Sequence, residues 1–101
     1  MTGVPLQDAM LDAAALAQLV LDVEQAAELI AVMIRPLGAR RATMAPASLG
    51  EAHRALRDRT ASVQLRYRHA GEEWWDTLLP LPSGTRLVRI NHTRALAADP
   101  S

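Results

Sequence analysis

Hydrophobic residues recur from Leu6 to Ile34 too densely for strict alternation. Leu6 to about Val20 is rich in Ala, Leu and Met, all good helix formers. Pro5 suits a first helical turn, where its missing N–H costs nothing. Asp22, with Gln25 three residues on, offers a second start of capping-box type. That segment would run from Val23 to Arg35 and stop before Pro36 and Gly38. The pattern therefore predicts two N-terminal helices over residues 6–35, or one bent helix. In the second segment Val23, Ala26, Ala27, Ile30, Met33 and Ile34 share a helical face. Leu29 and Val32 widen that face beyond an ordinary amphipathic stripe.

Residues 36–47, with two prolines, a glycine and several small residues, read as a linker. "SLGEAHRALRD" follows. Ser48 and Glu51 form a capping box, and Leu49, Ala52 and Leu56 repeat at helical spacing, so 48–58 predicts a short third helix with His53, Arg54 and Arg57 outside. From Ala61 the period falls to two. "SVQLRYRH", "WWDTLL" and "RLVRI" read as three strands of an antiparallel sheet over 62–92. Residues 95–101 read as a tail.

Both tryptophans stand side by side, and neighbours on a strand point to opposite faces. The register decides which one is core. A three-residue turn at Ala70-Gly71-Glu72 sets Tyr67 opposite Trp75, Arg68 opposite Trp74, Arg66 opposite Asp76 and Leu65 opposite Thr77. A two-residue turn would set Leu65 opposite Asp76 and mix apolar with charged positions, which disfavours it. A second turn centred on Ser83-Gly84 sets Leu79 opposite Val88 and Thr77 opposite Ile90. On that register Val63, Leu65, Tyr67, Trp75, Thr77, Leu79, Val88 and Ile90 form the core face. Trp74, Arg66, Arg68, Asp76, Arg89 and Leu78 lie outside, and tryptophan with arginine on a patch is the composition of binding hot spots.

The totals narrow the function classes. At 101 residues the chain suits one domain. Without cysteine it has no disulfide and no thiolate metal site. None of the three histidines, His53, His69 and His92, has a second ligand at metal spacing, and His92 can approach Trp75 across the sheet. The first residues lack the basic and apolar regions of a secretory signal, and Asp22, Glu24 and Glu28 interrupt the one long apolar stretch, so the chain reads as soluble and cytoplasmic with no membrane span. Net charge is zero but segregated. Residues 1–34 hold Asp8, Asp12, Asp22, Glu24 and Glu28 and no basic residue, while all eleven basic residues, every one an arginine, fall in 35–94. The lysine-free, Ala- and Arg-rich composition reads as the coding bias of a GC-rich bacterial genome.

These readings converge on an α+β domain: two N-terminal helices and a short third helix packed on a C-terminal three-stranded antiparallel meander. No phosphate loop, nucleophile elbow or metal motif is present, so no catalytic residue, metal or cofactor is assigned, and an enzyme is disfavoured. The expected role is a small interaction or accessory protein. Its partner-binding residues would be Trp74, Arg66, Arg68, Asp76, Arg89 and Leu78. The apolar surplus of residues 6–35 would be buried in a homodimer, with Leu29, Ile30 and Met33 at the interface. Nucleic-acid binding through the arginine-rich sheet face and Arg40-Arg41 is the runner-up, weakened by the zero net charge and the acidic N-terminal third. A small-ligand protein or enzyme subunit comes third.

Overall fold

The computed structural model describes residues 6–38 and 44–97. In chain order these form β1 (Leu6–Leu11), α1 (Ala13–Ala26), β2 (Glu28–Pro36), β3 (Ala45–Pro46), α2 (Leu49–Asp58), β4 (Ala61–His69), β5 (Glu72–Leu81), β6 (Gly84–Asn91) and α3 (His92–Ala97). The six strands make one sheet in the order β1-β6-β5-β4-β2-β3, with every neighbouring pair antiparallel.

This overturns the expected pair of N-terminal helices on a three-stranded meander. Residues 6–35 fold as strand, helix, strand. Leu6–Leu11 has helix-forming residues, yet it pairs with β6 along its whole length, and pairing outweighs a propensity of a few tenths of a kcal/mol per residue. Asp12, not Asp22, caps α1, accepting the Ala15 N–H at 2.8 Å. Asp22 lies inside the helix and accepts from Gln18. In β2 the run "ELIAVMI" carries Ile30, Val32 and Ile34, β-branched side chains that fit a pleated surface. Its two faces are both partly covered, so it reads as a continuous apolar run with no strand alternation. A bulge between Leu29 and Ala31 leaves Ile30 as the extra residue. Leu29, Ile30 and Met33 therefore sit on a strand, and the helical interface assigned to them has no helix to stand on.

The third helix is as the sequence indicates. α2 begins on the Ser48–Glu51 capping box, with both reciprocal bonds at 3.0 Å, and the hydrogen-bonded Ser48 holds the Glu51 carboxyl below its ordinary range. Ala52 and Leu56 are buried. The expected linker contains β3, α3 begins at the expected end of the sheet and reaches into the expected tail, and Pro5, Arg40-Arg41 and residues 98–101 lie outside the described residues.

α1 and α2 cover one face of the sheet. Leu16 and Val23 of α1 and Ala52 and Leu56 of α2 pack with Val32, Val63, Leu65, Tyr67, Leu78 and Leu87. Gly84 is required where β6 starts: a Cβ there would stand 2.7 Å from the Leu11 carbonyl oxygen, and its φ of +149° disfavours an L side chain.

Candidate interaction surface

The β4–β5 register differs by one residue from the sequence expectation. Ala70 (φ 54°) and Gly71 (φ 79°) make a two-residue turn with both centres at positive φ, the conformation that matches hairpin twist. Tyr67 therefore pairs with Trp74, Arg66 with Trp75, and Leu65 with Asp76. One residue of slip moves every side chain of a strand to the other face. The β5–β6 turn is centred on Pro82-Ser83, so Thr77 pairs with Val88 and Trp75 with Ile90. That is a shift of two from the expected pairing, which preserves the faces between those two strands.

The consequence is an exchange of faces on β5 and β6. Trp74, Asp76, Leu78, Leu87 and Arg89 lie under the helices, while Trp75, Thr77, Leu79, Val88 and Ile90 lie on the open side. The placement of Trp74, Asp76, Leu78 and Arg89 on an outer face is thus corrected: Asp76 and Leu78 are completely buried and Trp74 packs against the core. Trp75, expected in the core, is half-buried on the open face. Of the six expected patch residues, Arg66 and Arg68 remain on the open side.

A two-residue turn sets Asp76 beside Leu65 on the covered face. The protein does bury it, and satisfies it. Arg89 donates Nε and Nη2 to the two carboxylate oxygens, each at 2.8 Å, and the Tyr67 hydroxyl donates to Oδ2 at 3.0 Å. A buried ion is tolerated only with such paired, hydrogen-bonded geometry. Burial and the nearby Asp76 charge push the Tyr67 phenol far above its ordinary value, and the Asp76 hydrogen bonds raise Arg89 further. Beside this triad a cavity of about 210 Å³ opens under the end of α1, where Val23 and Ala26 face Tyr67, His69 and Arg89. The Ala26 carbonyl can only accept, so His69 donates from Nδ1 at 3.1 Å.

The open face is organised around Trp75. The His92 ring stacks on the indole, centroids 4.1 Å apart and planes 11° apart. The Arg66 guanidinium carbon lies 4.1 Å from the same centroid. Two groups cannot occupy one side of a ring at that distance, so imidazole and guanidinium hold opposite faces. The indole N–H donates to Glu73 Oε2 at 2.6 Å. α3 is tied down alongside: Thr93 Oγ1 accepts the Glu73 N–H at 2.8 Å, and Arg94 donates to Glu72 at 2.9 Å. Arg94 holds the Glu72 carboxyl below its usual range. Both members of the Glu72-Glu73 pair are thus engaged.

Two halves can be distinguished on this face. Over β5, β6 and β1 it carries Leu79, Val88, Ile90 and Met10, with Asp8 bonded twice to Arg86. Arg86 holds the Asp8 carboxyl low. Over β4 and β2 it carries Gln64, Arg66, Arg68 and Arg35 beside Met33, with Glu28 and Glu73 in register on either side of Arg68. Among the described residues no carboxylate forms an ion pair with Arg35, Arg66 or Arg68. No group of three metal-ligating side chains occurs among them, and no helix is long and apolar enough to cross a membrane.

The sequence signal for the inner triad was parity: Tyr67, Asp76 and Arg89 come to one face when both turns have two residues. Comparison with known proteins adds no identity, since no family model, curated protein or solved structure matches this chain.

Proposed function

We propose that this chain is a protein-interaction domain whose open sheet face receives an acidic, amphipathic segment of another protein. The observation that carries the reading is the pairing of an apolar half with a basic half on a face that neither α1 nor α2 covers. Leu79, Val88 and Ile90 supply area to be removed from water. Arg35, Arg66 and Arg68 supply cations without carboxylate partners, which steer an acidic partner and fix its orientation. Trp75, held by His92, Arg66 and Glu73, is already ordered and loses little conformational entropy on contact.

The same arginines keep nucleic acid as the second reading. Base stacking on Trp75 is disfavoured because both faces of the indole are already taken by the chain's own side chains. Anisotropy titrations separate the two. The probes are a labelled leucine–glutamate amphipathic peptide, its leucine–lysine counterpart and a single-stranded oligonucleotide. The acidic peptide is expected to bind, more weakly as salt rises, and to be lost in Val88→Asp and in Arg35→Glu/Arg68→Glu. Failure of the acidic peptide to bind, or binding indifferent to these variants, overturns the reading. Oligonucleotide binding with steep salt dependence, lost in the arginine variant, transfers the face to nucleic acid.

A further inference from the structure

The two edges of the sheet are treated differently. At one edge β3 has two residues, one of them Pro46, and the adjoining strand β2 is bulged at Ile30 and ends at Pro36. Brevity, proline and bulges are the devices that stop an edge from recruiting another strand. At the other edge β1 pairs with β6 over all six residues, Leu6–Leu11, with no register shift. It contains no proline, lysine or arginine. Its one charge, Asp8, is bonded to Arg86 of the neighbouring strand. Gln7, Asp8, Ala9 and Met10 are exposed, and no further strand lies beyond β1 among the described residues.

From this contrast we propose that β1 is a dimerisation edge, where a second copy of the chain adds its own β1 antiparallel across a two-fold axis and extends the sheet.

The occupant follows from the register. A symmetric antiparallel pair must keep helix-side residues opposite helix-side residues, so the axis passes through a residue and not between two. An axis at Asp8 sets the two Asp8 carboxylates against each other, and one at Met10 sets Asp8 against Asp12. An axis at Ala9 sets Ala9 against Ala9, Asp8 against Met10, and Gln7 against Leu11. It is the register that uses most of the strand without opposing like charges. The helices of both copies then lie on one side and the open faces on the other. The apolar half of each open face lies next to β1, so dimerisation joins the two halves into one central strip, with Arg35, Arg66 and Arg68 on both wings. This last consequence rests on the interaction-domain reading; the edge pairing itself does not.

Light scattering of the whole chain is expected to give twice the 11.0 kDa chain mass. Ala9→Cys is the positional test, because the chain has no other cysteine. Directly opposed residues in an antiparallel pair have Cα atoms about 4.5–5.5 Å apart, inside disulfide range. Oxidised Ala9→Cys is expected to run as a covalent dimer, and Arg54→Cys, exposed on α2, is expected not to. Ala9→Lys and Ala9→Glu should each be monomeric by light scattering with unchanged circular dichroism, and mixing them should restore a dimer. Should either variant unfold, the Ala9→Cys cross-link still decides. A wild-type monomer into the millimolar range, or cross-linking of Ala9→Cys no greater than that of Arg54→Cys, overturns the proposal. So does a monomer that takes up a foreign extended peptide along β1. Val88→Asp should leave the dimer intact while losing the acidic peptide, so the edge and the open face fail separately.

Discussion

The two faces of the sheet each mix apolar with polar side chains, and they do so differently. The face under the helices contains an ion pair and a phenol hydrogen-bonded to it; the open face carries leucine, valine, isoleucine and tryptophan at half burial. On the covered side, polarity is affordable because every oxygen of Asp76 has a donor. On the open side, half-exposed apolar residues stand beside the Asp8–Arg86 pair at one end and Arg35, Arg66 and Arg68 at the other. The half-exposed apolar residues are the area that the proposed contact surface would use.

The largest effect of a substitution is expected on the covered face. Asp76→Ala strands Arg89 and removes the acceptor of Tyr67. Removing one member of a buried pair costs about 3–5 kcal/mol, and the lower end applies because the Arg89 side chain retains 23% exposure into the cavity. A urea melt checks it, and replacing both partners by leucine should recover most of the loss.

The tryptophans come next. Trp74→Ala, opening a hole against the core, is expected to cost about 3 kcal/mol. Trp75→Ala, losing a stack and a cation–π contact in half-exposed surroundings, should cost about 1–2 kcal/mol. Paired urea melts that reverse this order would put the faces the other way round. Trp74→Phe sharpens the point: the Trp74 indole N–H is buried without an acceptor among the described residues, so removing it should cost less than the lost ring area suggests.

A smaller effect is expected in alkali. The folded state holds the Tyr67 proton above the ordinary phenol value of 10.0, chiefly through burial, while the unfolded chain releases it there. The stability contributed by this shift is complete below pH 10.0 and declines as pH rises above that value, because the unfolded state then binds fewer protons. Tyr67 is the sole tyrosine, so phenolate absorbance reports on it alone and should appear together with unfolding. Tyr67→Phe should flatten that alkaline decline and, at neutral pH, cost about 1–2 kcal/mol for the lost bond to Asp76. The smallest effect is expected at Val88→Thr on the open face, within about 0.5 kcal/mol of wild type in the same melts.

What the sequence made legible was local. The Ser48–Glu51 cap, the buried Ala52 and Leu56 and the period-two alternation of Val63, Leu65 and Tyr67 all depend on neighbours a few residues away. What it concealed depended on distant partners. β1 is a strand because β6 lies beside it, and β2 reads as a helix because it is apolar on both faces. The exchange of Trp74 and Trp75 came from one assumption, that a carboxylate would not be buried beside Leu65. Arg89, thirteen residues beyond Asp76, makes that burial possible. The Trp75 cluster was half legible: His92 was expected near Trp75, while the expected register set Arg68 opposite Trp74 where the protein has Arg66 over Trp75.

Methyl NMR of the whole chain during titration with the leucine–glutamate peptide distinguishes the proposed contact on the open face from contact elsewhere. The methyl signals of Leu79, Val88 and Ile90 are expected to shift progressively, with those of Val63, Leu65 and Leu78 nearly unmoved. Shifts confined to the covered face and its cavity, or no shift at any methyl, would contradict it.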